Sequence, residues 1–92
     1  MASDNANGIM LTGTQMRAAR ALLRWTSRTL ADRSKVGIAT IKRAEGCDQD
    51  TRMTAANIEA IRSALEAGGI EFIEPNGGGP GVRLRHPLTD RT

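Results

Sequence analysis

Apolar residues recur at helical spacing through the first two thirds of the chain and then switch to alternation. Met16, Ala19, Leu22 and Leu23 mark a first buried stripe. It is preceded by Thr12-Gly13-Thr14-Gln15, which fits a capping box, with Leu11 and Met16 spaced as a hydrophobic staple. Trp25 falls at the bend that follows and is expected to be the largest core plug. Thr26 is a hydroxyl residue suited to cap a second, short helix, on which Leu30 and Ala31 form a narrow stripe. Ser34-Lys35-Val36-Gly37 breaks the pattern, with Val36 available to fill the gap between helices. A third helix is expected from about Ile38 to Glu45, with Gly46 a natural stop. After a polar loop, Cys47 to Arg52, Thr54 or a neighbour caps a fourth helix reaching about Ala67. Ile58, Ile61 and Leu65 share one of its faces, and Gly68-Gly69 ends it.

The period then changes to two. Ile70-Glu71-Phe72-Ile73 and Val82-Arg83-Leu84-Arg85 read as strands, joined by a glycine-rich connection too long for a two-residue turn. Pairing them would bring Glu71 near Arg83 or Arg85. A lone hairpin is marginal in water, so this one must pack on the helices or on a second copy.

The second and third helices, joined by three or four residues, follow the helix-turn-helix plan, in which the later helix lies in the DNA major groove. The expected fold is therefore mainly α. A four-helix helix-turn-helix domain covers residues 11–68, and a short C-terminal β-hairpin, a candidate dimerisation element, covers 69–86. Residues 1–10, small and polar, are expected to form a disordered tail, and 87–92 a second tail. At about 100° per residue, Ile38, Lys42, Ala39 and Arg43 share one arc of the third helix. Ile41 and Ala44 lie opposite, with Thr40 at the border. Arg43 or Lys42 can donate to guanine or phosphate, and Ile38 and Ala39 can touch a thymine methyl. A solvated basic helix face is the competing reading of this arc.

Ninety-two residues suffice for one small domain. Trp25 and Phe72 are the only aromatic residues, too few to stack bases, which argues against single-strand or RNA recognition. The formal charge of +3 conceals an asymmetry. Residues 17–43 carry eight cations against Asp32, whereas residues 44–74 carry seven acids against Arg52 and Arg62. One half would be drawn to a polyanion and the other repelled. Cys47 is the only cysteine, which points to a reducing interior, and no stretch can span a bilayer, so the cytoplasm is expected.

Little here suggests catalysis. The run Gly77-Gly78-Gly79-Pro80-Gly81 lacks both the lysine and the following helix that a phosphate cradle uses. Cys47 and His86 give no zinc spacing, and His86 has no evident partner for acid–base work. Arg43 could lie close to the Cys47 thiol, but an inert or surface cysteine is the reading preferred over a reactive one. No cofactor, metal or small-molecule effector is expected.

The run from Gln15 to Glu45, QMRAARALLRWTSRTLADRSKVGIATIKRAE, resembles the lambda-repressor/Cro-like, XRE-type helix-turn-helix regulators of bacteria. The supporting positions are Leu30-Ala31, Val36, Thr40-Ile41 and Glu45. The extension IRSALEAGGIEFIEPNGGGPGVRLR resembles a subgroup common in alphaproteobacteria. Ser27 stands where that family usually has a phosphate-binding Gln, and Lys35-Val36-Gly37 replaces its usual Gly-Val-Ser turn. Losing the turn glycine requires a left-handed backbone at Lys35.

The resemblance implies sequence-specific binding of double-stranded DNA and regulation of transcription, often as a dimer on half-sites about one helical turn apart. On this reading Ile38, Ala39, Thr40, Lys42 and Arg43 face the bases, and Ser27, Arg28, Arg33 and Lys35 hold phosphates. Phe72, Ile73, Val82 and Leu84 would join two copies through the hairpin, whose edges are unpaired. A monomer with the hairpin folded onto the last helix is the rival. A second functional reading is a protein-interaction module, antitoxin-like or an adaptor, that uses the hairpin edge or the same helices. A third, a small enzyme using Cys47 or His86, has no assembled site behind it.

Overall fold

The computed structural model describes residues 10–49 and 51–87. The expected tails at 1–10 and 87–92 lie outside this range apart from Met10 and Pro87. Four helices precede a two-stranded sheet: α1 (Gly13–Leu23), α2 (Ser27–Ser34), α3 (Ile38–Glu45), α4 (Ala55–Gly68), β1 (Ile70–Ile73) and β2 (Gly81–Leu84).

Threonines open three of the helices. Thr12 Oγ1 accepts from the Gln15 amide at 3.0 Å, and Gln15 Oε1 accepts from the Thr12 amide at 3.0 Å, completing the capping box of α1. Thr26 and Thr54 accept from the third residues of α2 and α4, Thr29 and Asn57. The helix ends are less conventional. Arg24 (φ 60°) and Lys35 (φ 64°) close α1 and α2 in the left-handed region, where a side chain costs about 1–2 kcal/mol. Lys35 therefore takes the backbone that its place in the turn demands. Gly46 ends α3 in a right-handed conformation, so that stop does not depend on its being glycine.

The Lys35 geometry yields a prediction of two opposite signs. Lys35→Gly should stabilise the fold by about 1 kcal/mol, because glycine adopts positive φ freely. If Lys35 holds a phosphate, the same change should weaken DNA binding and its salt dependence. Urea denaturation and a binding titration on one sample would read both. A loss of stability would overturn the strain argument.

Between α2 and α3 the chain turns on Ser34, whose hydroxyl accepts from the Val36 amide at 3.2 Å. That bond aims Val36 inward, where it is buried with Leu30, Ala31 and Ile41. The largest fully buried side chains are Met16, Leu30, Ile41, Ile61, Leu65 and Ile70. Trp25 is not among them, contrary to expectation. It is half-buried and lies across Gly68, where an added Cβ would come 2.7 Å from the indole ring. A ring spread over the end of α4 covers the core instead of filling it. Leu22 and Leu23 are likewise half-buried, while Thr51, in the supposedly polar loop, is buried.

The strands pair antiparallel, with Ile70 opposite Leu84, Glu71 opposite Arg83, Phe72 opposite Val82 and Ile73 opposite Gly81. The second strand thus starts one residue earlier than its alternation suggests. Ile70, Phe72, Val82 and Leu84 share the face turned to the helices. Glu71 and Arg83 form a two-bond pair on the other face, at 3.1 and 3.2 Å. The Arg83 guanidinium, by hydrogen bonding and then by charge, holds the Glu71 carboxyl below its ordinary value. Two long-range bonds fix the hairpin to its own chain: Gln15 Nε2 donates to Gly81 O at 3.1 Å, and Arg85 Nη2 donates to Glu66 O at 2.9 Å.

Candidate nucleic-acid interface

Helix α3 has two unlike sides. Ile41, Ala44 and Glu45 are buried, whereas Ala39, Lys42 and Arg43 are exposed, and Ile38 and Thr40 lie between. The buried side is clamped to α1 by two arginines. Arg20 Nε and Nη2 donate to the two Glu45 carboxylate oxygens at 2.7 and 2.8 Å, and its Nη1 donates to Trp25 O at 3.0 Å. The Arg20 side chain is 22% exposed and that of Glu45 is 9%. The Glu45 carboxylate, chiefly through this hydrogen bonding, raises the Arg20 pKa, so the guanidinium stays charged. Arg17 donates to the Glu45 carbonyl and, at 3.0 Å, to Asp48 Oδ1 in the loop after α3. Gly13, at the first turn of α1, leaves room for the Ala44 and Cys47 carbonyls.

The clamp fixes which cations remain for a ligand. Arg17 and Arg20 belonged to the basic half by count, but both are spent on protein acceptors. Arg33 stacks over Trp25, its guanidinium carbon 5.0 Å from the ring centroid. That draws it to Trp25 at the α1–α2 corner. The side chains of Arg24, Arg28, Lys35, Lys42 and Arg43 have no hydrogen bond, ion pair or ring partner among the described residues. Of these, Arg28 is on the outward side of α2, Lys35 is in the turn, and Lys42 and Arg43 are on α3, so four free cations sit on the α2–turn–α3 unit. Ser27, one residue into α2, is half-buried and its hydroxyl is likewise unpaired. Arg24 was absent from the expected phosphate set. Its exposed position at the α1–α2 turn, two residues before the threonine cap of α2, is the signal that could have included it.

The hairpin residues fall into two groups. Phe72, Val82 and Leu84 are half-buried against this chain's own core, and Arg62 lies over the Phe72 ring at 4.3 Å. Ile73, at 38% exposure, is the large hydrophobic side chain left open among the described residues.

Elsewhere, Cys47 is half-buried with its thiol directed to Arg43 O at 3.6 Å, and His86 is exposed. An open recess of about 820 Å³, lined by residues that include Thr12, Arg17, Asp48 and Pro75, has neither Cys47 nor His86 in its wall. Among the described residues no cluster of three or more His, Cys, Asp or Glu is placed to hold a metal ion, and no helix is long and apolar enough to cross a membrane. Comparison with family models and with curated proteins gives no match to this chain.

Proposed function

We propose that the protein binds double-stranded DNA with sequence preference and regulates transcription in the cytoplasm, α2 and α3 acting as a helix-turn-helix with α3 in the major groove. One observation carries the reading. The inner side of α3 is locked by a buried ion pair, while its outer arc presents Lys42 and Arg43 bare beside Ala39 and Ile38. Among the described residues nothing pairs with those two cations, and a phosphate-lined groove would. On this reading Ser27, Arg28 and Lys35 would hold phosphates and set the register, with the exposed Arg24 beside them in that role. Arg33 is the weakest of the expected set, because Trp25 already occupies its guanidinium.

The test is a duplex-DNA titration across a salt series. Arg28→Ala should reduce the slope of log K against log salt by about one. Arg43→Ala should do the same and also cost roughly 1–3 kcal/mol of discrimination if it reads guanine. A protein whose affinity and slope ignore both changes does not use this surface on DNA. In the same reading a second copy would occupy an adjoining half-site, joined through Ile73 and the unpaired hairpin edges. The stoichiometry of the titration decides this, one chain per saturated duplex being the result that removes the dimer.

A further inference from the structure

We infer that the first turn of α3 recognises the 5-methyl group of pyrimidines as such, so that the preferred half-site sets thymine methyls beside a guanine reached from the next turn. This rests on the DNA-binding reading above. Gly37 caps α3 without a side-chain bond, and a Cβ built there meets nothing within 4 Å, so the tip of the helix stands open to an approaching surface. The two residues that follow, Ile38 and Ala39, carry only carbon. Ala39 is exposed, and Ile38 leans partly on the core and leaves the rest of its side chain outside. Thr40 is half-buried at the border. Polar side chains enter the arc one turn later, as Lys42 and Arg43, and both are donors only.

The composition of this arc decides what it can distinguish. Reading adenine with two bonds in the major groove takes a side-chain amide, and α3 contains no Asn or Gln, its one hydroxyl being that of the half-buried Thr40. Guanine offers two acceptors, which suit Arg43 or Lys42. Thymine is the base that presents carbon there, in its methyl group. Ile38 or Ala39 set against that methyl buries apolar surface. Set against any other base edge, they strip water from polar atoms and return no hydrogen bond. A carbon-only reader is also blind to whether the neighbouring exocyclic group is the O4 of thymine or the amino group of cytosine. At the positions these two residues touch, 5-methylcytosine therefore substitutes for thymine and plain cytosine does not.

The experiment starts from duplexes that the full chain selects out of a random pool, resynthesised with uracil for thymine. Affinity should fall about fourfold for each contacted methyl, with the salt slope unchanged. Cytosine at a contacted position should bind weakly, and 5-methylcytosine there should recover the loss. In Ala39→Gly, checked for an unchanged folded spectrum, the thymine-to-uracil affinity ratio should move toward one, which separates a contact from an effect of methyl groups on duplex shape. Uracil duplexes that bind as tightly as thymine duplexes, with the salt slope intact, would overturn the methyl inference and leave DNA binding standing. Absence of salt-dependent binding to any duplex would overturn both.

Discussion

Gly13→Ala is expected to cost about 3 kcal/mol of stability, although helix propensity alone favours alanine by roughly 1 kcal/mol. The opposing signs make it a sharp test. A Cβ on residue 13 would lie 1.9 Å from the Cys47 carbonyl oxygen, 2.5 Å from that of Ala44 and 3.0 Å from the Cys47 carbonyl carbon. All three atoms are backbone, so no side chain can rotate aside. Relief requires α1 to move away from the end of α3, and that motion strains the Arg20–Glu45 pair and the Thr14–Asp48 bond together. Urea denaturation should show a lower midpoint with an unchanged slope. An alanine variant as stable as the parent would mean that the close approach of α1 to the α3–α4 loop is not part of the fold.

Arg20→Ala should cost about 3 kcal/mol, and Glu45→Ala a similar amount. Removing either partner leaves the other's charge without its counter-ion at a largely enclosed site, and such changes typically cost 3–5 kcal/mol. The lower end applies because Arg20 keeps some contact with solvent, at 22% exposure. For a domain of this size the loss corresponds to a fall in Tm of about 12 °C or more. Replacing both together, Arg20→Met with Glu45→Leu, should recover most of the stability, since well-packed apolar groups often match a buried pair. A single-variant loss below about 1 kcal/mol would place the pair with ordinary surface ion pairs. Glu45 lies on α3, so loss of the pair should also loosen the helix whose outer arc is proposed to meet DNA.

Much of the architecture was legible because its signals are local. Thr12, Thr26 and Thr54 are hydroxyl residues immediately before apolar-periodic runs, and each caps a helix. The break at Ser34–Gly37 and the change to period two after Gly69 are local as well. What escaped depends on residues distant along the chain. Glu45 reads as one more acid in an acidic half, because counting charges assumes that each is solvated. Its partner lies 25 residues earlier. Gln15 is visible as a capping-box member, but its second bond, to Gly81, has no trace in the neighbouring sequence. Trp25 misled by size: a large ring at a bend suggests a core plug, yet Gly68 makes a shallow seat on which the ring lies as a cover. The outward arc of α3 follows from helical spacing alone. Which cations stay free does not, and for Arg17, Arg20 and Arg33 it was decided by tertiary partners.

The bond from Gln15 to Gly81 spans 66 residues, and Arg62 Nη1 reaches back 52 residues to Met10 O. Helix α1 and the residues just before it are therefore held by groups synthesised well after them. At about 5–20 residues per second, roughly 3–13 s pass between synthesis of Gln15 and synthesis of Gly81. Through that interval α1 lacks both the Gln15–Gly81 bond and its packing against β2, so the hairpin is the last brace to reach it.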